Sequence, residues 1–144
     1  MVNNKLIALY DELEKSNIKV SNLSFIKDFN ALSYMCDDNT YFIGLNPEAC
    51  SSERKEYCIL MEEQAHYDAG IIPNDYMSNS RLDILSREKN EVRAKRKVLN
   101  KLIPKDKLIK FLKERGHTDV EEIAEEFDVI PEFVQQALLL YSAS

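Results

Sequence analysis

Apolar residues recur at helical or alternating spacing along most of the chain. Helical spacing predicts helices over residues 4–15, 52–68, 80 or 86–102, 105–115, 120–127 and 132–141. Two β-prone segments, residues 31–35 and 41–45, flank a run of turn formers and predict a hairpin. Residues 18–29 fit either an extended segment or a short amphipathic turn, and residues 71–79 are expected to form a loop. The pattern therefore predicts an α+β fold with a small antiparallel sheet beside the helices.

Residues at the ends of these segments support the predicted boundaries. Ser52 is an N-cap candidate for the helix over residues 52–68. Pro104 ends the long helix that reaches residue 102. Gly116 is a C-cap candidate, and Thr118 or Asp119 can cap the helix that begins at residue 120. The last two helices have the apolar spacing of a helix-turn-helix.

The composition indicates one compact globular domain. The chain has 144 residues, 44% of them hydrophobic and 31% charged, which suits a single domain over residues 1–144. Within it, residues 1–30 would form an N-terminal helical segment, and the helices of residues 105–144 would pack on the core. No apolar run approaches the roughly 20 residues that span a bilayer, and the N-terminus lacks a signal-peptide pattern. Three Cys without CxxC spacing suit reduced thiols, so we expect a cytoplasmic protein without membrane partners.

The net charge of −6 is unevenly distributed. Residues 1–80 carry 6 basic and 13 acidic side chains, residues 81–118 carry 13 and 5, and residues 119–144 carry 0 and 7. The basic middle is consistent with a solvated helix face that pairs with acids elsewhere, or with a nucleic-acid surface. Direct DNA binding by the last helices is disfavoured because residues 119–144 have no Lys or Arg to neutralise phosphates.

The helix over residues 52–68 carries a candidate catalytic motif in otherwise apolar surroundings. Glu62 and His66 are four residues apart and project from one face, a spacing that allows two side chains to bind one metal ion. Glu63 is adjacent, where the Glu of an HExxH motif acts as general base. Alternatively, Glu62 and Glu63 pair with basic residues, and His66 is a hydrogen-bonded core histidine.

Glu91 on the following helix is a candidate third ligand. At 100° per residue it lies at the centre of the apolar arc that includes Ala94, Val98 and Leu102. A carboxylate there needs a compensating cation, which is either a metal ion or Lys95 one turn later. Glu62, His66 and Glu91 together could make a three-ligand site with an open position for water.

The sequence resembles the ImmA/IrrE-type metallopeptidases of phages and mobile elements over roughly residues 30–142. The resemblance rests on four stretches in order: residues 41–47 before the motif helix, residues 58–67 with Glu-Glu-x-x-His, Glu91-Val92-Arg93-Ala94 followed by Leu102-Ile103-Pro104, and residues 120–134. It implies a zincin-like helical core and a C-terminal helical pair. It also implies His66 and Glu91 as metal ligands, Glu63 as the catalytic base, and Glu62 where the stricter motif has His.

The resemblance further implies a zinc-dependent, gluzincin-like metalloendopeptidase. Its substrate would be a protein such as a helix-turn-helix transcriptional repressor of a phage, prophage or mobile element. The chain departs from the family pattern at Gln64, Ala65, Asp68 and Lys97. A catalytically degenerate member that binds and regulates a partner protein is therefore the alternative to an active peptidase, and a DNA-binding regulator is the third class.

Overall fold

The computed structural model describes residues 2–24, 26, 29–70 and 81–142. Their elements follow in the order α1 Val2–Lys15, β1 Ile18–Asn22, β2 Ala31–Met35, β3 Tyr41–Leu45, α2 Glu53–Asp68, α3 Arg81–Leu102, α4 Lys105–Arg115, α5 Val120–Phe127 and α6 Pro131–Ser142. The α+β class is confirmed. The predicted loop over residues 71–79 lies outside the described residues.

The sheet is mixed rather than antiparallel, with strand order β1-β3-β2. The predicted hairpin of β2 and β3 is confirmed, and its turn is closed by the Cys36 amide, which donates to the Thr40 carbonyl over 2.8 Å. β1 pairs in parallel with β3, from Ile18 opposite Tyr41 to Asn22 opposite Leu45. The prediction of a small antiparallel sheet is therefore confirmed for β2 and β3 but does not hold for β1. The ambiguous segment of residues 18–29 contains β1, which joins the edge of β3 opposite β2 as a parallel strand.

The chain divides into two compact units, residues 1–94 and residues 95–144. In the first unit, α1 packs on α2 and β1, and α2 also contacts β2. Its core contains the inward-facing side chains of β3, Tyr41, Ile43 and Leu45, none more than 1% exposed. Alternate residues of a strand face the same side, so these three side chains share the face that the helices cover.

The second unit contains the end of α3 together with α4, α5 and α6. Its core includes Leu108, Ile123, Val129, Phe133 and Val134. The predicted helix ends are confirmed: Gly116 follows α4 with a φ of 70°, and Asp119 caps α5 by accepting from the Glu122 amide. The organisation of residues 1–144 as one domain stays a prediction.

No helix among the described residues is long and apolar enough to cross a membrane.

Candidate metal centre

Helix α2 carries three of the four predicted site residues, and its ends are well defined. Ser52 has extended backbone angles, and its hydroxyl accepts a hydrogen bond from the Lys55 amide over 3.1 Å. This contact satisfies one of the free amides at the helix start. At the other end, Gly70 has a φ of 74°, a conformation that costs glycine little. The predicted helix over residues 52–68 is thus confirmed.

Three side-chain contacts within the first unit hold α2 in place. The Tyr10 hydroxyl donates to Glu56 Oε2 over 2.5 Å, and Gln64 Nε2 donates to Glu12 Oε2 over 3.2 Å. The Tyr67 ring meets the Tyr41 ring edge to face, with centroids 5.0 Å apart. Helix α2 is thereby fixed against α1 and β3. These partners were not predicted, because periodicity places Tyr10 on a helix face without identifying what lies opposite.

The closest contact among the predicted site residues joins Glu63 and His66. Glu63 Oε2 lies 3.8 Å from His66 Nδ1, and the two side chains are 13% and 27% exposed. The distance is that of an ion pair rather than a hydrogen bond of ordinary length. Both side chains are half-buried, whereas Cys58, Leu60 and Ala65 of the same helix are buried.

The carboxylates of Glu62 and Glu91 act on the same imidazole. The pKa of His66 is raised above its ordinary value, and the interaction with the Glu63 carboxylate is the largest cause. Burial opposes this rise, while the negative charges of Glu63, Glu62 and Glu91 add to it. The three predicted carboxylates therefore lie close enough to His66 to favour its protonated form.

Glu91 lies on α3 close to buried apolar residues, as predicted. Ala94, Val98 and Leu99 are buried along this helix, and Glu91 itself is half-buried. Val92, the residue after Glu91, is 57% exposed and lies outside this buried face. Lys95, the alternative partner of Glu91, extends its ammonium group over the Phe133 ring, 4.3 Å from the centroid. Such a cation–π contact already gives Lys95 a favourable environment.

The chemistry of these donors fits a divalent metal ion. One imidazole with two carboxylates is a ligand set that zinc accepts, and it is harder and more anionic than a set with two imidazoles. The described residues contain no group of three or more His, Cys, Asp or Glu side chains gathered closely enough to hold an ion. Binding would therefore require Glu62 and Glu91 to approach His66 more closely than they do here.

The three Cys residues and His117 carry no ligand pattern, although Cys58 lies on α2 about one turn before Glu62. Cys36 and Cys50 are half-buried and Cys58 is buried, and all three are free thiols as expected. Burial raises the pKa of the Cys50 thiol, and the charge of Glu56 raises it further. His117 is exposed beside Gly116, and its interpretation as a cation at the end of α4 stays a prediction.

Helix α2 carries Glu-Glu-x-x-His after a small sheet, and the next helix carries Glu91. This arrangement is similar to the His-Glu-x-x-His helix of metallopeptidases, with Glu62 in place of the first His. The chain belongs to the peptidase family described as the IrrE N-terminal-like domain, whose model matches residues 13–139. This match confirms the resemblance drawn from the sequence and extends it to the end of α1. The family is one of generally metal-dependent peptidases. Neither the curated proteins nor the solved structures provide a match to the chain.

Proposed function

We propose that this protein is a metal-dependent endopeptidase that cleaves a regulatory protein of a phage or mobile element, such as a helix-turn-helix repressor. The observation that carries the proposal is the contact between Glu63 and His66, with Glu62 and Glu91 acting on the same imidazole. Membership of a metallopeptidase family supports it, because peptidases of this family are generally metal-dependent. The reaction would take place in the cytoplasm, where such a repressor acts.

Each site residue has a distinct role in this proposal. His66, Glu62 and Glu91 would hold one divalent ion, zinc being the expected one. When bound, such an ion polarises a carbonyl and makes water more acidic. Glu63 would accept the proton of the attacking water and later deliver it to the leaving amine, as a general base does in hydrolysis. Its present contact with His66 keeps this carboxylate beside the proposed ligands.

Metal analysis is the first test. Protein purified without chelator is expected to carry about one divalent ion per chain, measured by elemental mass spectrometry, and to lose the ion with His66→Ala or Glu91→Ala. Glu63→Gln should retain it. Glu53→Gln, at an exposed position in the first turn of α2, is the matched control. Loss of metal in Glu63→Gln would mean that Glu63 is a ligand rather than the base.

Cleavage is the second test. If a neighbouring reading frame encodes a helix-turn-helix repressor, the protein is co-expressed with it, and the repressor is followed by immunoblot. Glu63→Gln should slow cleavage by about 10²- to 10⁴-fold at unchanged metal content, whereas Glu53→Gln should leave it intact. Metal binding without cleavage in the unmodified protein would support the degenerate regulator instead. The enzyme hypothesis would be excluded if the unmodified protein carried no stoichiometric metal and Glu91→Ala changed neither metal content nor cleavage.

A further inference from the structure

The second unit contains a surface cleft outside the proposed metal centre. The cleft has a volume of about 440 Å³ and is lined by the end of α3, by α4 and by the end of α5. Four apolar side chains form its floor: Leu102, Pro104, Phe111 and Phe127. The Phe111 and Phe127 rings meet edge to face with centroids 6.3 Å apart. The floor therefore presents aromatic and aliphatic surface that a large apolar side chain would cover.

The charged rim of the cleft has an excess of cations. Lys101, Lys107 and Lys110 line it together with Glu114 and Glu126. Lys110 pairs with Glu114 at 4.0 Å, one turn away on α4. Within the part of the chain that the structure describes, Lys101 and Lys107 have no carboxylate at ion-pair distance. They lie on either side of the junction between α3 and α4, so two uncompensated ammonium groups border the same end of the apolar floor.

The exposure of the lining indicates a macromolecular occupant. All nine lining residues are half-buried or exposed, and none is buried. A site for a small molecule encloses most of its ligand, which an open cleft of this kind cannot do. A segment of a partner protein needs no such enclosure, because the surrounding surface of the partner adds contact area. A phosphate backbone that followed the cleft would meet Glu126 as well as the lysines, whereas a peptide can place its carboxylates only beside Lys101 and Lys107. This difference disfavours nucleic acid.

We propose that this cleft docks a segment of a partner protein in which two carboxylates stand next to a large apolar side chain. The apolar side chain covers the floor at Phe111 and Phe127, and the carboxylates pair with Lys101 and Lys107. The inference does not depend on the metal centre, since every residue it uses lies in the second unit. It assigns partner recognition to α4 and to the ends of α3 and α5.

Binding of labelled peptides to the full chain tests the proposal. The probe is a fluorescein-labelled peptide of twelve residues with Glu-Glu beside Phe-Leu, and the matched probe has Lys-Lys in place of Glu-Glu. Fluorescence anisotropy is expected to give about tenfold tighter binding of the acidic probe, the sum of two partly exposed ion pairs. Equal affinity for the two probes, or no binding of either at millimolar concentration, would overturn the proposal.

Substitutions at the cleft test whether the acidic probe binds there. The double variant Lys101→Glu with Lys107→Glu should bind the acidic probe about tenfold or more weakly than the unmodified chain does, and it should bind the basic probe more tightly than the acidic one. Lys113→Glu is the matched control, because Lys113 is exposed on α4 and does not line the cleft; it should change affinity less than threefold. Circular dichroism checks that each variant is folded. A double variant that is folded and binds as tightly as the unmodified chain would exclude the cleft.

Two further measurements distinguish other occupants. If analytical ultracentrifugation shows self-association that the double variant abolishes, a second copy occupies the cleft and the proposal is wrong. If the unmodified chain binds duplex DNA with a steep salt dependence, and the double variant does not, the lysines contact phosphate instead. A chain that stays monomeric and does not bind DNA, while it binds the acidic probe, supports the proposal.

Discussion

Gly44 in the central strand β3 leaves room for the Leu23 side chain, which lies against it. A Cβ atom added at this position would meet Leu23 Cδ1 and would lie 2.8 Å from Leu23 Cγ. Glycine inside a strand often marks such a close approach. Leu23 is half-buried, so it cannot move away without losing contacts.

We therefore expect Gly44→Ala to lower the free energy of unfolding by about 1–3 kcal/mol, the usual range for overpacking. Urea denaturation followed by circular dichroism measures it. In a Leu23→Ala background the same substitution should cost much less, because the obstructing atoms are gone. A cost that is equal in both backgrounds would contradict the role of Leu23.

The hydrogen bond from Tyr10 to Glu56 predicts a pH-dependent contribution to stability. Burial and the neighbouring Glu56 carboxylate raise the pKa of Tyr10 above its ordinary value of 10.0. A group whose pKa is raised by folding stabilises the fold below the unfolded pKa, and this stabilisation declines as pH rises above it. Tyr10→Phe should thus lower the free energy of unfolding by about 1–2 kcal/mol at pH 8 and by less at pH 11.

Denaturation of both proteins at pH 8 and at pH 11 is the measurement. The comparison cancels the titration of other tyrosines and lysines, since both proteins contain them. Tyr34→Phe is a matched control, because Tyr34 is 57% exposed, and its pH profile should follow that of the unmodified protein. If the difference in free energy of unfolding between Tyr10→Phe and the unmodified protein grew from pH 8 to pH 11, the prediction would be contradicted.

The sequence predicts the spacing of the candidate site residues along one helix but not their arrangement in space, and their roles stay a prediction. Spacing on a helix places Glu62, Glu63 and His66 within one turn, and the structure agrees. The distance between that helix and Glu91 depends on how α2 and α3 pack, which periodicity does not encode. Glu63 and His66 are three residues apart on one helix, so their spacing allows the contact that the structure shows.

At the scale of elements, the N-cap of α5 tests how much one side-chain hydrogen bond at a helix end stabilises the protein. The Asp119 side chain accepts from the Glu122 amide over 2.8 Å, and α5 has only eight residues. A short helix depends strongly on its ends, because few internal hydrogen bonds form within it. Asp119→Ala should destabilise the protein by about 0.5–2 kcal/mol in thermal or urea denaturation. Asp119→Asn, which retains the acceptor oxygen, should recover most of this loss.

The element boundaries show where sequence reasoning succeeds. β2, β3, α4 and α5 begin and end at the predicted residues, because turn formers, Pro104 and Gly116 mark their limits locally. The sequence of β1 does not distinguish a strand from a turn, because Ile18 and Val20 alternate over too few residues. The direction of its pairing is set by β3, whose paired residues lie 23 positions later in the chain. No pattern within β1 carries that information.

At the scale of the whole molecule, the basic segment of residues 81–118 acquires a more specific interpretation. The sequence allowed either a solvated face or a nucleic-acid surface. The structure places Lys101, Lys107 and Lys110 around the apolar floor of one cleft. A surface that combines positive charge with apolar area suits a protein partner better than it suits a phosphate backbone. The peptide and DNA measurements described above decide between these uses of the same lysines.

The position of β3 between β1 and β2 has a consequence for handling the protein. β1 covers one hydrogen-bonding edge of a strand whose side chains are largely buried. Removal of residues 1–22 would expose that edge together with apolar surface, and such an edge is a template for intermolecular pairing. We expect the truncated chain to aggregate in light scattering at concentrations where the full chain stays dispersed. N-terminal shortening is thus a poor strategy for crystallisation.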